Sequence, residues 1–186
     1  MIPIVNLYAN RIDASFVKDY LYLDKRNEDL WREMNAHFTI ILKESPENNY
    51  ITNYSPKGIT IFVDPTDMNP APFTHELLHL YLKHRQIRIL DDFTENTATD
   101  SELLYLLSQS VVNHISNCLE HYKMVPLFLG RDFELQFFTK DFHTKLMDEQ
   151  TANKIAKDYL KNGIHDGKAV QTFIKKFFSM KSSANN

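Results

Sequence analysis

Cysteine is almost absent from this chain: Cys118 is the only one among 186 residues. An intrachain disulfide is therefore impossible, and the fold cannot rest on oxidation. Glycine is scarce too, at 4 residues. Neither G-x-G-x-x-G nor G-x-x-x-x-G-K-[ST] occurs, which excludes both glycine-rich phosphate-binding signatures. Neither sign of charge dominates: 21 Lys and Arg stand against 24 Asp and Glu, a net charge of −3. That balance argues against a nucleic-acid-binding surface spread over the chain. No apolar run approaches the roughly 18 residues of a membrane-spanning helix. The start, Met1-Ile2-Pro3-Ile4-Val5-Asn6-Leu7, lacks the basic and apolar stretches of a secretory signal. The expectation is a soluble, cytoplasmic protein without nucleic-acid or membrane partners. Its oligomeric state is open.

What is present suffices for a core: 43% of residues are apolar and 12% aromatic. The length suits one domain, taken as residues 1–180 with a polar tail over 181–186, and leaves room for a small second lobe. Apolar positions Phe16, Tyr20, Leu23, Leu30, Trp31 and Met34 recur at helical spacing, predicting a helix from Asp13 to Asn35. Strands are expected at 37–42, 50–54 and 59–63, divided by turns at Ser45–Asn49 and Ser55–Gly58. A helix follows from about Phe73, and Thr74 is a candidate cap. Asp91 to Thr99 reads as a polar connection. Asp100 or Ser101 begins a long helix that Pro126 stops. Residues 133–162 read as mostly helical up to Gly163. Asp166 to Met180 form a last amphipathic helix with Val170, Phe173, Ile174, Phe177 and Phe178 on one side. This order is α+β: a small, mainly antiparallel sheet beside a central helix and a second long helix.

The chemistry lies in His75-Glu76-Leu77-Leu78-His79, an H-E-x-x-H pattern inside an apolar helical run. Residues i and i+4 project from one helix face, one turn apart. Two imidazoles so placed can bind one zinc ion, and the Glu beside them can reach a water on that ion. The plain alternative is an amphipathic helix carrying two histidines and a solvated carboxylate.

The motif and the order of elements from about residue 37 to 125 resemble the zincin metallopeptidases. By size the chain is similar to compact members such as the ImmA/IrrE-like and SprT-like peptidases. The resemblance implies a small mixed sheet before the H-E-x-x-H helix, and a second helix delivering a third ligand to Zn²⁺. Two departures matter. The extended form H-E-x-x-H-x-x-G-x-x-H needs Gly where Leu82 stands and His where Arg85 stands. The thermolysin-like form needs a downstream Glu, for which Glu95, Glu102 and Glu120 are candidates without a clear signature.

A catalytic zinc usually has three protein ligands and a water. On the second long helix Leu103, Leu107, Val111, His114, Cys118 and His121 form one row at spacings of three and four. Glu102, Gln109, Asn113, Ser116 and Glu120 form the opposite, polar row, expected in solvent. This assignment favours His121 as third ligand, then His114, then Glu120. His143 and Asp100 are weaker candidates, Asp100 reading as a cap. His37, His84 and His165 read as surface or loop residues. Asp91, Asp92, Asp100 and Asn117 are candidate partners for the ligand rings, and Tyr105 and Tyr122 are candidate oxyanion supports.

The set His75, His79, His121 and Glu76 suggests a zinc-activated water that attacks a peptide bond, with Glu76 as general base. A peptide or protein substrate can add to a sheet edge, for which Ile59–Val63 is the candidate strand. Two rivals belong to other classes. One is a catalytically inactive zincin-like metal-binding or interaction module. The other is a helical interaction protein using the Phe- and Lys-rich last helix, with an accidental motif.

Overall fold

The computed structural model describes residues 11–12, 22–56, 58–87, 89–97, 107–138, 149–161, 164–165 and 167–183. In chain order the elements are β1 (Arg11–Ile12), α1 (Glu28–His37), β2 (Ile40–Glu44), β3 (Ile51–Ser55), β4 (Gly58–Val63), α2 (Pro70–His84), α3 (Ile89–Thr97), α4 (Gln109–Leu129), a 3₁₀ turn (Leu135–Phe137), α5 (Glu149–Tyr159), β5 (Leu160–Lys161), β6 (Ile164–His165) and α6 (Gly167–Ser183). The chain is α+β. Its described residues group into two compact units, one within 1–86 and 127–139 and the other within 87–126 and 140–186. Among the described residues no helix is long and apolar enough to cross a membrane.

The first unit is built on a four-stranded sheet in the order β1-β2-β4-β3. The pairing of β2 with β4 is parallel, and the two outer pairings are antiparallel. The sheet is thus mixed, with two of its three pairings antiparallel, in keeping with the expected mainly antiparallel sheet. The order also corrects the expected edge: β4 lies between two strands, and β3 is the edge strand beside it. Ile59, Ile61 and Val63 alternate into the core, leaving at most 6% exposed, whereas most of β3 is exposed. β4 therefore reads well as a strand because it is interior, the opposite of what a peptide-accepting edge requires.

Gly58 starts β4 at φ +128°, and an added Cβ would lie 2.9 Å from the Thr39 carbonyl oxygen. Both the backbone conformation and the space require glycine. Gly58→Ala is expected to destabilise the protein by about 1–3 kcal/mol, read as a lower urea midpoint at unchanged slope. An unchanged midpoint would show that the β3–β4 turn relaxes freely.

Helix α2 starts earlier than the apolar pattern suggests. Asn69 is the cap: its side chain accepts from the Ala71 amide at 2.9 Å. Pro70 follows at the first helical position, where a missing N–H loses nothing. Thr74 is no cap but lies one turn inside, where its hydroxyl donates to the Pro70 carbonyl at 2.7 Å. The helix is buried over most of its length, at Ala71, Phe73 to Leu78, Leu80 and Leu82. Phe73 packs against Tyr22 and Trp31, with ring centroids 5.7 and 5.6 Å apart.

Helix α1 is shorter than predicted. Residues 13–21 lie outside the described set, and 22–27 are not helical. Asp24 and Asn27 hold a turn there: the Asp24 amide donates to Asn27 Oδ1, and the Arg26 amide to Asp24 Oδ1. Short polar side chains that bond nearby backbone compete with helix, which explains the difference.

In the second unit, α3 occupies the segment expected as a polar connection. Asp91 and Asp92 fall in its first turn, where negative charge suits the helix dipole. Helix α4 runs through Pro126 instead of stopping there. Proline removes one hydrogen bond, at about 3 kcal/mol in a helix interior. Pro126 itself is exposed. Met124, Val125 and Phe128 are almost fully buried around it, and each stabilises by about 1.5–3 kcal/mol. Burial wins.

Residues 139–148 and 162–163 lie outside the described set, and among the described residues of 133–161 only Glu149–Tyr159 is α-helical. Helix α6 continues to Ser183, three residues into the expected polar tail. Its apolar side is divided: Phe173 and Phe177 are 47% and 42% exposed, and Val170, Ile174 and Phe178 are half-buried.

Candidate metal centre

Helix α2 carries His75 and His79 one turn apart, as the i, i+4 spacing requires. Their Nε2 atoms approach to 3.2 Å, and the rings meet edge-on, with centroids 5.0 Å apart. One ligand atom from each of His75, His79 and His121 lies within 4.8 Å of the others. Three histidines therefore lie close together and can hold a metal ion. The fit can be tested on the closest pair. Two nitrogens each about 2.05 Å from a tetrahedral metal would be about 3.3 Å apart. The observed 3.2 Å matches, and three imidazoles suit zinc or another borderline transition metal.

Packing places these rings. Phe138, itself buried, lies against His75 with centroids 4.6 Å apart. Phe128 in turn packs on Phe133 and Phe138, at 5.0 and 5.1 Å. Asn27 donates through Nδ2 to Thr74 Oγ1 at 2.9 Å, immediately before His75 in the chain.

Glu76 is 7% exposed. Burial raises its pKa above the usual carboxylate range; His79 and the nearby Thr52 on β3 oppose that shift by charge and hydrogen bonding. The Thr52 hydroxyl completes no hydrogen bond by geometry, so its influence is that of a close neighbour. Glu76 is thus a buried carboxyl group beside two metal-binding rings and under the edge strand.

The remaining candidates fall elsewhere. His114 shares the inward row but serves packing within the second unit. Its Nε2 lies 3.0 Å from both the Lys175 carbonyl and Ser179 Oγ of α6, and 3.6 Å from Cys118 Sγ. Glu120 is half-buried and does not join the histidine group. Ser116, expected in solvent, is 2% exposed, while Gln109 and Asn113 are exposed and bonded to each other at 2.8 Å. Asp91, Asp92 and Asn117 are exposed, and Tyr122 is 57% exposed, so none gains support for a role at the histidines. Asp100, Glu102, Tyr105 and His143 lie outside the described residues. His37 and His84 stack on each other, with centroids 4.0 Å apart, away from the site. Reading the sequence missed Thr52, Asn27 and Phe138. Each reaches the site across a long sequence interval, and none belongs to a motif.

No protein-family model matches the chain, and neither a curated protein nor a solved structure gives a match.

Proposed function

We propose that this protein is a zinc-dependent metallohydrolase, most simply a peptidase of zincin-like design. The observation that carries this reading is the approach of the two Nε2 atoms to a metal-ligand spacing, beside a buried Glu76. His75, His79 and His121 would hold the ion. Bound zinc supplies a Lewis acid and a water that ionises near neutral pH. Glu76 is the proton carrier: its carboxylate takes a proton from the attacking water and returns it to the departing amine. Thr52 on β3 is a close neighbour of Glu76, so an extended substrate paired to that edge would pass in front of the carboxyl group.

The alternative of a metal-holding module without turnover has less support. A closed, purely structural site would need a fourth ligand; among the described residues neither His114, engaged with α6, nor Cys118 joins the histidine group.

Elemental analysis of protein purified without a metal-binding tag tests the centre. The expected result is about one zinc per chain. His121→Ala should lower zinc affinity by about two to three orders of magnitude, the share of one ligand in a typical site. His114→Ala should keep the zinc and lower the melting temperature instead. Folded protein that takes up no added zinc would overturn the proposal.

A further inference from the structure

We propose that Lys83 selects substrates carrying an Asp or Glu side chain two residues from the bond presented to Glu76. The inference rests on the peptide-hydrolase reading and adds a substrate class to it.

Glu76 and Lys83 are seven residues apart on α2, so they share one helix face about 10 Å apart along the axis. On β3, Thr52 and Tyr54 are two residues apart and therefore share one face, about 7 Å apart. The two pairs line up: α2 lies against β3, Thr52 is a close neighbour of Glu76, and the Lys83 ammonium stands 4.0 Å over the Tyr54 ring. The edge strand thus runs from the proton carrier at one end to a cation at the other. Two residues of an extended peptide span the same interval.

Charge decides what the far end accepts. From Tyr50 to Val63 the chain has no acidic residue, although the whole protein carries a net charge of −3. Arg85, beside Lys83 at the end of α2, is already paired with Glu33 at 3.5 Å. Lys83 has no acidic partner among the described residues, and it is exposed. The aromatic contact draws on the face of the Tyr54 ring and leaves ammonium protons for a carboxylate. Tyr54, 42% exposed, adds a surface for the stem of that side chain.

The test reads binding, so that it does not depend on turnover. Labelled peptides of about eight residues, differing only by Glu, Gln or Lys at one position, are titrated into the full chain carrying Glu76→Gln, which holds them uncut. Fluorescence anisotropy should show the Glu peptide binding about fivefold more tightly than the Gln peptide. Adding Lys83→Met should abolish the difference, Lys83→Arg should retain it, and Lys83→Glu should reverse it in favour of the Lys peptide. Thermal melts of these surface variants establish that each is folded. Equal binding of all three peptides, or a preference that survives Lys83→Met, overturns the proposal, as does failure of every peptide to bind. Selective binding of peptides that the Glu76-containing protein never cleaves would leave this inference standing and overturn the hydrolase reading instead.

Discussion

Glu76→Gln is expected to lower kcat/KM on a cleaved peptide by about a thousandfold while leaving bound zinc unchanged. The substitution keeps size and shape and removes only the capacity to accept a proton. Because Glu76 is almost completely buried, an amide there is no worse solvated than a carboxyl group, and the fold should tolerate it. The three histidines are untouched, so metal content should stay at about one ion per chain. The two readouts separate three roles. Loss of turnover with metal retained identifies a proton carrier. Loss of metal would identify a ligand, and would place the carboxylate in the coordination sphere. Unchanged turnover would mean that any hydrolysis seen has another base. The alternative module without catalysis predicts a fourth pattern, no turnover in either protein, which a wild-type assay against a diverse peptide mixture detects.

What the sequence made legible follows from the range of each interaction. The His75–His79 pair is encoded by a spacing of four on one helix, and a helix fixes that geometry by itself. His121 was reachable for a related reason: its row on α4 continues Val111, His114 and Cys118, so one periodicity orients them all. Sorting His121 from His114 went beyond periodicity, because both share that row. What separates them is α6, whose Lys175 carbonyl and Ser179 hydroxyl claim His114. Strand β4 was legible as a strand but not as an interior one, because an alternating apolar pattern does not say how many neighbours a strand has. The helix limits failed where side chains overrode propensity: Asn69 capped α2 ahead of Thr74, and buried neighbours carried α4 through Pro126. In each of these cases the deciding partner is a tertiary contact or a local cap that competes with an equally plausible one nearby.

Asn27→Ala is expected to destabilise the protein by about 3 kcal/mol, lowering Tm by about 6–12 °C for a chain of this size. Asn27 is fully buried and joins the 22–27 turn to α2. Its Nδ2 donates to the Tyr22 carbonyl and to Thr74 Oγ1, both at 2.9 Å, and its Oδ1 accepts from the Asp24 amide at 2.9 Å. Alanine would leave the buried Tyr22 carbonyl and the part-buried Asp24 amide without this partner and remove a donor from Thr74 Oγ1, and leaving such groups unmade costs more than the bonds gain when formed. Asn27→Asp is the sharper control. It keeps the acceptor and the volume but loses both donors and brings a buried charge, so it should destabilise at least as much as alanine near neutral pH. It should regain part of that loss in acid. There the carboxyl group is neutral, and its single proton can again reach Thr74 or Tyr22. The same bond connects stability to the metal centre, because Thr74 immediately precedes His75. If Asn27 positions that end of α2, Asn27→Ala should weaken zinc binding by about tenfold even in the fraction that remains folded, as measured by competition with a chelator at low temperature. Full zinc affinity in a destabilised variant would show that the histidines are held without Asn27, by contacts such as Phe73 on Tyr22 and Trp31 and Phe138 on His75.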